Sequence, residues 1–164
     1  MKLKKFYSSR EVATLTGLTA RQLQWWDARR LFMPAVAPRK TAAGGYTERR
    51  YTPMDVLELQ VLGDLRRRGF SIPRLRRLLA TLRQTFGVRL YEAIGDEGAL
   101  TLLIGGDQLY ARSPDGRVFD LDHPEQALLV GVEELPLRPL TARQRRRRAS
   151  GSEKLSRGRR RAAE

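Results

Sequence analysis

Two helix-start signals set either side of a glycine constrain the fold of this chain more than any other feature. Ser8-Ser9-Arg10-Glu11 places a hydroxyl three residues before a carboxylate, and Thr19-Ala20-Arg21-Gln22 repeats the device with an amide in the third position. Both are capping boxes, in which two backbone N–H groups at a helix start are satisfied reciprocally. Val12, Ala13 and Leu15 supply a short apolar face after the first box, and Gly17 ends that helix after about two turns. A second helix is expected over Ala20–Arg30. Two short helices joined by a tight Gly-containing turn form a helix-turn-helix.

The second helix has two faces. At about 100° per residue, Leu23, Trp26 and the aliphatic stem of Arg30 fall on one side as a core stripe. Arg21, Gln22, Trp25 and Arg29 fall on the other, with Gln24 at its edge. A face that mixes cations, amides and an indole suits phosphates and base edges. A merely solvated polar face fits less well, because an exposed indole carries a solvation cost unless something covers it.

Beyond Leu31, Pro34 and Pro38 bar a helix, and the Gly44-Gly45 pair permits a tight turn. The stretch reads as a two-stranded hairpin with Arg39 and Lys40 on one arm and Arg49 and Arg50 on the other. Cations on both arms can straddle a duplex backbone. A third helix begins at Thr52-Pro53-Met54-Asp55, with a hydroxyl cap, Pro at the first helical position and an acid in the first turn. Leu57, Val61, Leu62 and Leu65 stripe it, and Gly69 ends it. Phe70 can pack back on Leu65 and forward on Leu75, fixing a corner before a fourth helix capped by Ser71. That helix turns Leu75, Leu78, Leu79 and Leu82 inward.

This order resembles the DNA-binding domain of MerR-family transcription regulators over about residues 6–82. Arg21-Gln22-Leu23-Gln24-Trp25-Trp26-Asp27 is similar to the family's Arg-Thr-Leu-Arg-Tyr-Tyr-Glu second helix, and Gly45-Tyr46 through Arg49-Arg50-Tyr51-Thr52 to its wing and third-helix start. Leu65-Arg66-Arg67-Arg68-Gly69-Phe70-Ser71-Ile72 is similar to its Leu-x-x-x-Gly-Phe-Ser-Leu corner. The resemblance implies that the second helix enters the major groove and the wing lies on the flanking backbone or minor groove. It assigns contact with bases or phosphates to Arg21, Gln22 and Gln24, packing on the sugar-phosphate backbone to Trp25, and a wing contact to Arg49. Thr19, Arg39, Lys40, Tyr46 and Arg50 complete the candidate set. Two departures stand out: Gln24 replaces a frequent Arg, which shifts preference from guanine towards adenine, and Gly44 to Arg50 is longer than the usual Gly-Tyr-Arg wing.

Charge partitions along the chain. Residues 1–85 hold 18 basic and 6 acidic side chains (+12), residues 86–140 hold 4 and 10 (−6), and residues 141–164 hold 10 and 2 (+8), giving a net +14. Such a balance points to an acidic polymer as partner. In residues 86–140 a helix is expected over Phe86–Ile94, then strands over Leu100–Ile104, Leu109–Arg112, Val118–Leu121 and Leu128–Val132, separated by Gly-containing turns. The last segment is too poor in apolar residues to offset its ordering entropy and reads as a disordered tail.

Absences narrow the function. Without Cys there are no disulfides, iron–sulfur clusters, thiolate metal sites or thiol nucleophiles, and the resemblance offers none of the family's Cys-based sensing. The long antiparallel helix through which some members dimerise is reduced to about nine residues containing Gly87. No apolar run approaches the roughly 20 residues of a membrane span. Asp120, Asp122 and His123 read as a strand end and loop rather than a metal site, and one His leaves little acid–base capacity, so no catalysis and no cofactor are expected.

The fold class expected is α+β: an N-terminal winged helix-turn-helix over 1–85, a small acidic antiparallel β module over 86–140 for dimer or partner contact, and a basic tail over 141–164. The function expected is sequence-specific regulation of transcription on double-stranded DNA by a cytoplasmic, nucleoid-associated homodimer. Two other readings stay open. One is an antitoxin that binds a toxin through residues 86–140 and autoregulates its operator; the other is a nucleic-acid chaperone driven by charge alone.

Overall fold

A computed structural model describes residues 4–125, 127–128 and 138–140. The basic stretch 141–164, expected to be disordered, and residues 129–132 of the expected fourth strand lie outside the described residues.

Every helix begins where a side chain can satisfy its free N–H groups. In α1 (Ser9–Thr16) the Glu11 N–H donates to Ser8 Oγ at 3.2 Å, and in α2 (Ala20–Ala28) the Thr19–Gln22 box closes at 3.0 and 2.8 Å. Gly17 ends α1 at φ 76°, a left-handed turn that a Cβ would strain, and its N–H reaches Ala13 O at 2.9 Å. Thr52 and Asp55 form a third box at the start of α3 (Pro53–Arg67), and Ser71 caps α4 (Ile72–Thr85). Between α3 and α4 the Phe70 N–H donates to Leu65 O at 3.1 Å, and the Phe70 ring is buried. The corner is therefore held by backbone and side chain together.

Two-residue strands close the unit. β1 (Tyr7–Ser8) lies antiparallel to β2 (Arg50–Tyr51), so the chain entering α1 pairs with the chain entering α3. Val12, Leu18, Leu23, Trp26, Tyr51, Leu59, Leu62, Leu65, Leu75 and Leu82 fill the interior. Leu57 and Leu79, expected inside, are only partly buried.

Two expectations are corrected here. α2 stops at Ala28, and Arg30 is exposed at φ 55°, so its stem is not part of the core stripe. The Leu31 N–H turns back to Trp26 O at 2.9 Å, which ends the helix before Arg30 can join it. Nor does a helix run over Phe86–Ile94. Phe86 is the cap that ends α4, Gly87 takes φ 66°, and only a 3-10 turn follows at Leu90–Ala93. A left-handed residue breaks the i to i−4 ladder.

The remaining strands form one antiparallel sheet in the order β6-β5-β4-β3-β7. These are β3 (Thr101–Gly105), β4 (Gln108–Arg112), β5 (Val118–Asp120), β6 (Ala127–Leu128) and β7 (Arg138–Pro139). β7, absent from the sequence expectation, pairs with β3 through Leu103–Pro139 and Ile104–Arg138. Thr101 to Ile104 are all buried, so β3 is covered on both faces, whereas β4 alternates. The sheet shares a core with the helices: Phe86 and Phe119 meet edge to face at 5.5 Å, and Arg74 pairs with Asp122 at 3.1 Å. That pair, with the Asp122 N–H bonded to Asp120 Oδ1 at 2.9 Å, accounts for the acidic strand end. Among the described residues no helix is long and apolar enough to cross a membrane.

Candidate nucleic-acid interface

The hairpin after α2 is built on two short contacts. Val36 and Arg50 exchange both backbone hydrogen bonds at 3.1 Å, and Lys40 bridges to Tyr46 near the tip. Between them the ladder is interrupted at Pro38, which has no N–H to give; there the Arg39 N–H donates to Thr47 Oγ1 at 2.7 Å instead. Thr41 closes the tip, its N–H on Gly45 O at 2.7 Å and its Oγ1 accepting the Gly45 N–H at 3.1 Å. Arg39, Lys40, Tyr46 and Arg50 are exposed, Tyr46 by 71%.

On α2, burial follows the two expected faces apart from Arg30. Leu23 and Trp26 are buried, and Arg21, Gln22, Gln24, Trp25 and Arg29 are exposed. Trp25 keeps 43% of its surface open, and the Arg29 guanidinium lies 5.1 Å from its ring centroid, a cation–π contact that orders both side chains. Gln22 Oε1 is engaged by the Thr19 N–H, which leaves its amide NH₂ to point elsewhere. Thr19 is accordingly a cap, its Oγ1 occupied by the Gln22 N–H.

Arg49 is placed differently from the other hairpin cations. It is half-buried, and its Nε donates to Asp27 Oδ2 at 2.8 Å. The bond joins the last turn of α2 to the second arm of the hairpin. Because Nε alone is used among the described residues, the two Nη groups keep four N–H donors for another acceptor. Asp27 was not singled out from the sequence, although it is one of only two acids between Arg21 and Arg50. Beneath the pair lies Tyr51, whose phenol burial pushes upward in pKa while the Arg49 cation pulls the other way. Its buried hydroxyl makes no hydrogen bond of good geometry among the described residues, although Ser9 lies near enough to oppose the rise.

A second polar cluster lies away from this face. Asp55 and Glu58, both buried, share one guanidinium: Arg89 bonds Asp55 at 3.2 Å and also Glu58. Burial raises the Glu58 carboxyl above its ordinary range against the opposing pull of Arg89, and neighbouring Asp55 adds to the rise. The Arg83 charge also acts on Glu58, so the two carboxylates face two cations, only one of them in direct contact.

The MerR HTH family regulatory protein model matches residues 7–82. The chain is similar to an uncharacterised HTH-type transcriptional regulator of Mycobacterium bovis and to counterparts from two strains of Mycobacterium tuberculosis. Each is 27% identical over 127 residues, a match spanning 70% of this chain and 55% of the relative. The chain thus spans about half the length of these curated relatives. A match over 70% of a 164-residue chain extends past Leu82 and into the sheet wherever it starts. Residues 7–82, from the strand that leads into α1 to the buried Leu82 of α4, belong to the MerR HTH family of regulatory proteins.

Proposed function

We propose that the chain is a sequence-specific regulator of transcription that binds double-stranded DNA with α2 in the major groove and the hairpin as a wing on the flanking backbone. The observation that carries this reading is the Asp27–Arg49 bond, which ties the exposed face of α2 to the cationic hairpin so that the two dock as one surface. In this reading Arg21, Gln22 and Gln24 meet bases or phosphates, and Trp25, held by Arg29, packs on the backbone. The wing cations Arg39, Lys40, Arg49 and Arg50 meet phosphates, and Tyr46 packs beside them. Phosphate contacts set register and amide contacts read sequence. The relatives' description as HTH-type transcriptional regulators supports the same role.

The sheet then serves dimer or partner contact, and a homodimer would read a palindrome. Selection of bound sequences from a random duplex pool tests the whole reading. The expected outcome is a palindromic consensus whose enrichment depends on Gln22 and Gln24. Uniform recovery of all sequences, with affinity that falls with salt regardless of sequence, would replace this reading with charge-driven binding.

A further inference from the structure

A cleft of about 320 Å³ opens between the segment after α2, the first turns of α3, the middle of α4 and Val88–Leu90. Its lining is mixed in a particular way. Met33, Leu79 and Val88 give it an apolar wall, while Arg30, Arg76 and Arg83 bring cations. The two carboxylates present, Asp55 and Glu58, are already held by Arg89. None of Arg30, Arg76 and Arg83 forms a salt bridge among the described residues; the Arg83 charge does act on Glu58, but four cations lining the cleft against two carboxylates leave it positive. Arg76 donates to Arg29 O at 2.9 Å, an ordinary helix-end contact that uses one of its N–H groups.

A further observation concerns Arg30. It is the one non-glycine residue with positive φ among the described residues, at 55°. An L-residue is disfavoured there, and such strain gathers at sites that bind or switch. Glycine would relax the turn, yet the position carries a cation that lines the cleft. Apolar walls with a few convergent polar groups are the usual build of a small-molecule pocket, and the volume lies at the lower end of such pockets.

We propose that this cleft binds a small organic anion, a carboxylate carrying an apolar body, with Arg30, Arg76 and Arg83 around the carboxylate and Met33, Leu79 and Val88 against the body. The cleft adjoins the DNA-facing surface proposed above through the Arg76–Arg29 bond but uses none of the side chains placed there, and its test contains no DNA, so either reading can fail alone.

The test is calorimetric titration of octanoate into the full chain, with inorganic phosphate and 1-octanol as comparison probes. Octanoate is expected to saturate at one site per chain. Arg83→Gln and Leu79→Asn should each weaken it about tenfold or more, the loss of a charged hydrogen bond or of apolar contact. Arg117→Gln, in the turn between β4 and β5, should leave it unchanged, and phosphate and octanol should bind at least about tenfold more weakly. Thermal melts of each variant, required to match the parent's cooperativity, separate lost binding from lost folding. Absence of saturation would overturn the proposal. So would octanoate binding that is indifferent to Arg83 and Leu79, that falls equally with Arg117→Gln, or that phosphate matches.

Discussion

The Asp27–Arg49 bond makes a prediction that separates bracing from DNA contact. The two side chains are 20% and 24% exposed and 2.8 Å apart, so the pair is neither a free surface ion pair nor a fully buried one. Exposed pairs contribute up to about 1 kcal/mol, and breaking a buried pair costs about 3–5 kcal/mol. An intermediate coupling of about 1–2 kcal/mol follows for this geometry. Asp27→Ala and Arg49→Ala should each lower the free energy of unfolding in urea by about that much. The double variant should lose little more than either single one, so the cycle closes with a coupling of about 1–2 kcal/mol. On DNA the two variants should part company. Arg49→Ala removes a cation assigned above to a backbone phosphate, so the slope of log affinity against log salt should become shallower by about one unit on any duplex. Asp27→Ala leaves the cation in place and should leave the slope as it was. Additive losses in urea would refute the brace. An unchanged salt slope for Arg49→Ala would refute the wing contact.

Other consequences can be checked more briefly. Arg30→Gly should raise stability by about 0.5–1 kcal/mol, because relief of the left-handed strain exceeds the added freedom of glycine in the unfolded chain; a lower urea midpoint would show that Arg30 contributes contacts that outweigh the strain. Tyr51→Phe removes a buried hydroxyl whose neighbour Ser9 is not in good hydrogen-bond geometry and should be neutral or stabilising by up to about 1 kcal/mol, whereas a clear loss would show that the Ser9 bond is made. Glu58, raised by burial, keeps its proton in the folded state after the unfolded chain has released it. Stability relative to Glu58→Gln should therefore fall as pH rises from about 4.5, with Asp55, Arg83 and Arg89 as the charged neighbours; a difference that stays constant or grows would contradict the raised carboxyl. Gln24→Arg should move preference at one base pair from adenine to guanine by about 1–3 kcal/mol, measured by competition between paired duplexes, and no change would remove Gln24 from the base-reading set.

Local chemistry was legible in the sequence, and long-range pairing was not. Ser8, Thr19, Thr52 and Ser71 announce helix starts because a capping hydroxyl acts within three residues of itself. Leu23 and Trp26 announce the core face of α2 because helical period orders them. By contrast β1, β2 and β7 are two residues long, too short to display an alternation, and their pairing is decided by partners far along the chain. The Asp27–Arg49 and Arg89–Asp55/Glu58 contacts join residues from different elements, so spacing carries no trace of them. Arg30 misled for a related reason: a helical wheel extends any helix it is given, while the actual end was set by backbone bonds turning back to Trp26.

The junction between α4 and the sheet has a metric consequence. Phe86 against Phe119 and Arg74 against Asp122 lock the sheet to α4 with one aromatic and one ionic bolt. Were two copies to join through their sheets, the separation and rotational phase of the two α2 helices would be dictated by those bolts, as the arms of a caliper are by its screw. The protein would then measure the distance between half-sites rather than merely tolerate it. Loosening the bolts, with each half-site left intact, would blur the spacing accepted without dulling the bases read.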